Sequence, residues 1–142
     1  MRVYLDNCCY NRPFDDQAQV KVLLETIAKL DIQQRMRTGG LEYAWSSVLD
    51  FEIMKSRFYD RARQILPWAK GAAVKVLVDE TIRQRAKDFE ANGVKPMDAL
   101  HVACAEAARC DWFFTVDQGI LNKARPLTSM RIANPIEFFG GD

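Results

Sequence analysis

Residues Lys95–Asp117, K-P-M-D-A-L-H-V-A-C-A-E-A-A-R-C-D-W-F-F-T-V-D, read as a helix followed by a buried strand. Pro96 suits a first helical position, where its missing N–H costs nothing. Met97, Leu100, Ala103, Cys104, Ala107 and Ala108 then recur at helical spacing, an apolar face of mostly small residues fit to lie on a sheet. Trp112–Val116 is a short, nearly continuous apolar run, the pattern of a strand covered on both faces. Two carboxylates stand out because such a core has no use for them. Asp98 falls in the first turn of the helix, where the dipole favours negative charge by about 0.3–1 kcal/mol. Asp117 falls at the carboxyl end of the strand.

Outward from this stretch, the chain alternates strand and helix. Arg2–Leu5 is a first strand ending in Asp6-Asn7, and Arg12-Pro13 is a turn. Asp15-Asp16, with Gln19 beyond, predict the cap of a long helix whose face Val20, Leu23, Leu24, Ile27 and Leu30 turns inward. That helix stops at Gly39-Gly40. Tyr43–Ser46 is a second strand, Ser47 caps a short helix with Asp50 as partner, and Glu52 lies just inside. A helix over Phe58–Ala69 and a strand over Ala73–Val78 follow. A helix starting at Asp79 closes at Asn92-Gly93. After Asp117 come a short helix near Gly119–Ala124, a strand around Met130–Ile132 and the tail Pro135–Phe139. Alternation of this kind implies a parallel α/β/α sandwich of three layers with right-handed crossovers.

The 142 residues suit one domain, expected over 1–142, and their net charge of +1 excludes a strongly basic, nucleic-acid-coating surface. No apolar run reaches the ~18 residues of a membrane span, and the opening M-R-V-Y-L-D lacks a secretory core. A cytoplasmic protein without membrane partners is the expectation. Cys8, Cys9, Cys104 and Cys110 show no zinc-type spacing with one another or with the single histidine, so reduced thiols are expected.

In parallel α/β folds the ligand site lies beyond the carboxyl ends of the strands. Four acids sort to that zone: Asp6, Glu52, Asp98 and Asp117. Glu25, Glu80, Asp88 and Glu90 read instead as polar sides of helices. Two carboxylates ~4 Å apart repel by about 4 kcal/mol at an effective dielectric of 20, so four in one pocket call for a cation. Oxygen donors without a Cys/His cluster suit Mg²⁺ or Mn²⁺. Such an ion activates water and clamps the oxygens of a phosphodiester undergoing displacement. Each Asp taken singly is also an ordinary turn or cap residue; the joint placement carries the reading.

The motifs V-Y-L-D-N, S-S-V-L-D-F-E, K-P-M-D-A-L-H-V-A-C-A-E-A, F-F-T-V-D and N-P-I-E-F-F together resemble a PIN domain over essentially the whole chain. The resemblance implies a sheet of about five parallel strands and a divalent-metal-dependent endoribonuclease with Asp6, Glu52, Asp98 and Asp117 as catalytic and metal-ligating acids. The compact form is similar to VapC-type toxins of toxin–antitoxin pairs, which implies an RNA substrate, a homodimer and a small antitoxin partner. Two departures exist: Asn7 stands where many members have Thr or Ser, and Gly119 stands where many carry a further acid. Asn7 and Thr115 are expected to support the acids from behind. Lys55, Arg57, Arg61 and Arg63, interleaved with Phe58 and Tyr59, read as an RNA-contacting segment or as a solvated helix face, and Arg12 is a further phosphate contact. His101, one turn beyond Asp98, reads as a core or wall residue. The competing reading is a non-catalytic module whose acidic pocket docks a basic partner segment or RNA.

Overall fold

The computed structural model describes residues 1–140, so the last two residues of the expected 1–142 domain lie outside the described residues. Its centre is a five-stranded sheet in the order β3-β2-β1-β4-β5, with every pairing parallel. The strands are β1 (Arg2–Leu5), β2 (Glu42–Ser46), β3 (Val74–Val76), β4 (Trp112–Phe114) and β5 (Arg131–Ala133). The α-helices are α1 (Asn7–Asn11), α2 (Val20–Arg37), α3 (Ser47–Lys55), α4 (Tyr59–Ile65), α5 (Glu80–Ala91), α6 (Pro96–Ala107) and α7 (Gln118–Ala124).

The chain leaves β1 toward β2 and β3, then crosses back to place β4 on β1's other side. Beside β1 the strand order therefore reverses, which opens a crevice at the carboxyl ends. Register fixes what stands there. Leu5 pairs with Phe114, so the next residues, Asp6 and Thr115, emerge side by side. Val3, Tyr4, Leu5, Phe113 and Phe114 are fully buried, as the continuous apolar runs require.

Several local expectations are corrected. The long helix starts at Val20 with Gln19 at its N-cap, and no side chain caps it. Its stripe of Val20, Leu23, Leu24, Ile27 and Leu30 faces outward, 42% to 71% exposed, while Glu25, Thr26, Ala28, Lys29, Ile32, Gln33 and Met36 face the core. The short helix α1, absent from the expected elements, is capped by Asp6, whose side chain accepts from the Asn7 N–H. Ser46 rather than Ser47 caps α3, accepting from Leu49 N–H at 3.2 Å. Phe58–Ala69 is not one helix: α4 gives way at Leu66–Gly71 to a tighter 3₁₀ stretch that Pro67 enforces. On α6 burial extends nearly all round, taking in Ala99, His101, Val102 and Ala105 beside Ala103 and Cys104. Among the described residues no helix is long and apolar enough to cross a membrane, and all four thiols are free.

Candidate metal centre

Asp6 sits at the end of β1, 4% exposed, and both of its oxygens accept hydrogen bonds, with capacity left on Oδ1. Oδ1 accepts the Asn7 N–H at 2.8 Å. Oδ2 accepts from Thr115 Oγ1 at 2.9 Å and from Cys8 Sγ at 3.3 Å. The Cys8 thiol, raised well above its usual range by its hydrogen bond with Cys9, by burial and by Asp6, stays protonated and so remains a donor. Thr115 links both strand ends, because its Oγ1 also accepts the Asp117 N–H at 3.1 Å. Asp117 caps α7, accepting from Ile120 N–H at 3.2 Å. A Cβ at Gly119 would stand 3.0 Å from Asp117 Oδ1, so the absence of a side chain there leaves that carboxylate room.

Asp98, in the first turn of α6, has its carboxyl raised to about 6: burial contributes most, then the charges of Asp6 and Asp117, with Glu52 adding and His101 opposing. That shift is the electrostatic mark of acids gathered round one pocket. Glu52, on α3, is half-buried, and its carboxylate meets His101 Nε2 in a direct hydrogen bond. Asp6, Glu52 and His101 each present a ligand-capable atom within 4.8 Å of one another. Asp98 and Asp117 lie outside that tight group but close enough to act on it by charge.

His101 belongs to the site, although the sequence reading left it in the wall. It is completely buried, with Nε2 3.8 Å from Asp6 Oδ1 and Nδ1 2.6 Å from Tyr4 Oη. Burial alone would lower its pKa, yet the bond to Glu52 and the charges of Asp6, Glu52 and Asp98 outweigh that and raise it. A signal was present: residues three apart on a helix share a face, so Asp98 toward the pocket brings His101 with it.

The supporting residues divide. Thr115 touches Asp6 directly, whereas Asn7 supports it through its backbone N–H alone, its side chain being bonded to Asn11 at 2.9 Å. Lys55 lies exposed over the Phe51 ring at 4.7 Å, and Arg57 is exposed at the end of the same segment. Arg12 is different. Its guanidinium is held by Asp15 at 3.0 Å and Glu25 at 3.1 Å, so it is not free to take a phosphate. Arg61 is likewise engaged, by Asp15 and the Phe14 carbonyl. A surface cleft of about 860 Å³ lies at the opposite, amino ends of β4 and β5, lined by Glu106, Asp111 and Arg131 among others. The acids stand at the other ends of the strands, so the choice of site rests on the clustering of ligand-capable groups and not on cleft volume.

A parallel sheet with carboxylates gathered at the carboxyl ends beside its central strand defines a doubly wound α/β protein with an acidic centre at its switch point. The sequence pattern of the PIN domain matches residues 4–126, and the chain belongs to that family, whose members are generally nucleases. Among solved structures it is similar to FitAcB from Neisseria gonorrhoeae, at 16% identity and TM-score 0.61, covering 94% of this chain and 97% of that one. It is also similar to VapBC2 from Rickettsia felis bound to a DNA fragment from their promoter, at 11% identity and TM-score 0.55, again covering 94% and 97%. At these identities the likeness shows the fold. The curated proteins contain no match to the chain.

Proposed function

We propose that this protein is a divalent-metal-dependent endoribonuclease, with Asp6, Glu52, Asp98 and Asp117 holding Mg²⁺ or Mn²⁺, and that it acts as the toxin of a toxin–antitoxin pair. The observation that carries the reading is the gathering of Asp6, Glu52 and His101 ligand atoms within 4.8 Å of one another, with Asp98 close enough that burial and the charges of Asp6, Asp117 and Glu52 push its carboxyl up to about 6. Carboxylates that raise one another's pKa are relieved when a cation joins them.

The donor set fits such an ion. Asp6 is prevented from turning away by Asn7 N–H, Thr115 and Cys8, Asp117 is anchored by its cap bond, and Glu52 reaches the same place from α3, in contact with His101. A divalent ion held by these carboxylates would supply a more acidic water and positive charge for the oxygens of the scissile phosphodiester. The residues themselves do the positioning. Thr115 holds the ends of β1 and β4 at fixed separation, while Lys55 and Arg57, exposed beyond Glu52, attract the RNA backbone and steer it to the acids.

Partner readings follow from the resemblance to VapC-type toxins and the structural likeness to FitAcB and VapBC2: a small antitoxin, and a homodimer. The outward apolar stripe of α2 is consistent with a protein partner covering it. A cytoplasmic location accords with both.

The test is cleavage of a defined RNA by protein purified free of contaminating nuclease. Activity is expected to vanish with EDTA, to return with Mg²⁺ or Mn²⁺, and to be absent from Asp98→Asn at unchanged circular dichroism. Undiminished cleavage by that variant removes the reading. Failure of the protein to bind either ion leaves the docking-module alternative in its place.

A further inference from the structure

We propose that His101 is a nitrogen ligand of this centre, so that the site selects a first-row transition ion such as Mn²⁺ over Mg²⁺. The inference rests on the metal-site reading above and specifies which class of cation that site takes.

The geometry points there from both sides of the imidazole. Nε2 faces the carboxylates, in contact with Glu52 and 3.8 Å from Asp6 Oδ1, and the three candidate ligand atoms fall within 4.8 Å. Octahedral neighbours at about 2.1 Å from a cation stand about 3.0 Å apart, and wider pairs further, so the span between His101 and Asp6 is one a shared cation can bridge. The Glu52 side chain, 28% exposed where His101 is fully buried, is the member free to give way as an ion enters. On the far side, Nδ1 is held by Tyr4 Oη at 2.6 Å, and Tyr4 Oη by Ser46 Oγ at 2.7 Å. Metal-bound histidines are characteristically fixed through their other ring nitrogen in this manner.

The hydroxyl chain works with either imidazole tautomer. With Glu52 accepting from Nε2–H, Tyr4 donates to Nδ1. When Nε2 instead turns its lone pair to a cation, the imidazole takes its other tautomer, the Nε2 proton passing to solvent and solvent returning one proton to Nδ1. Nδ1–H then donates to Tyr4 Oη, and Tyr4 donates to Ser46 Oγ. Ser46 Oγ already accepts Leu49 N–H but has a second lone pair for this. No hydrogen bond behind the ring is lost in the exchange. Imidazole nitrogen is a ligand suited to transition ions, whereas Mg²⁺ favours oxygen throughout. A mixed N/O donor set therefore separates the two ions where four carboxylates alone would not.

The chain contains one histidine, which makes the test unambiguous. Full-length protein loaded with one equivalent of Mn²⁺ is examined by pulsed EPR for ¹⁴N modulation from a coordinated imidazole, and again after ¹⁵N-histidine labelling. Modulation that changes with the label is expected in the wild-type protein. His101→Gln is expected to lose it and to bind Mn²⁺ roughly 10- to 100-fold more weakly while Mg²⁺ affinity moves about 3-fold or less. Tyr4→Phe is expected to keep the modulation with weakened Mn²⁺ binding. Mn²⁺ bound by the wild-type protein with no nitrogen coupling overturns the inference and leaves the carboxylate site standing. No Mn²⁺ bound at all overturns both. The decisive spectrum is that of the wild-type protein, so a misfolded variant does not blunt it.

Discussion

Asp98 and Thr115 show how single residues divide stability from function. Asp98 has a folded pKa of about 6 against an ordinary value of 3.8. Between those values the folded chain binds more protons than the unfolded one, so this group's contribution to stability falls as pH rises through the window. Asp98→Asn is therefore expected to melt at a higher temperature than the wild type at pH 7–8 without metal, with the difference shrinking as pH falls below about 4. Its RNA cleavage is expected to drop by roughly 100-fold or more. Calorimetry across pH, paired with the cleavage assay, checks both; a destabilised Asp98→Asn at pH 8 contradicts the crowding of acids. Thr115 gives the reverse pattern. It is buried and serves Asp6 and the Asp117 N–H together, so Thr115→Val strands both. A loss of about 1–3 kcal/mol and a 10- to 100-fold fall in metal affinity are expected, measured by denaturant titration and calorimetry. The places of Asp6, Asp98 and Asp117 were legible in the sequence because they follow strands or open a helix, positions that periodicity reveals, whereas Glu52 lies inside α3. His101 and Cys8 were not singled out as site groups, since their roles depend on how α3 and the end of β4 come to lie against them.

Among the elements, α2 departs most from its sequence pattern. Helical periodicity located it correctly, but the apolar stripe that should mark the buried side is the exposed one. The reason lies in its neighbours: Glu25 is drawn inward by Arg12 and Asn134, and Ile32 and Met36 join the core. Periodicity says which residues share a face, and only the surroundings say which face is covered. The same limit explains α1, too short at five residues to show any period, and the edge strand β3, where only Val74–Val76 of the expected run pairs with β2. The elements β1, β2, β4, α5 and α6, with the cap at Asp79 and Pro96 at the first helical position, were readable because local signals and burial agree. A paired experiment tests the orientation of α2. Leu23→Lys and Ile27→Lys are expected to change stability by about 0.5 kcal/mol or less, as exposed substitutions do. Ile32→Ala, on the opposite face, is expected to cost about 2–5 kcal/mol. Equal costs on both faces, measured by urea unfolding of the isolated chain at low concentration, contradict the arrangement.

At the scale of the whole molecule, one buried charge joins parts of the chain that are remote in sequence. The Glu25 carboxylate is fully buried, bonded by Arg12 from the turn after α1 and by Asn134 from the turn after β5. Arg12 also holds Asp15, which in turn holds Arg61 of α4 at 3.1 Å. The network thus fastens α2, α4 and the C-terminal turn to one another. Removing one member of a buried pair leaves an unpaired charge out of water, a penalty of about 3–5 kcal/mol. Arg12→Ala is accordingly expected to destabilise the fold by that amount, and Arg12→Ala with Glu25→Gln to recover part of it, because the stranded charge is then gone. Lys55→Ala and Arg57→Ala, exposed and remote from this network, are expected to leave stability within about 0.5 kcal/mol. They are expected to weaken RNA binding and flatten its salt dependence, each by roughly one unit of slope. Those outcomes together would assign one of the three cations to folding and two to substrate. A stable Arg12→Ala variant with weakened RNA binding and a shallower salt slope would return Arg12 to the RNA surface and dissolve the distinction.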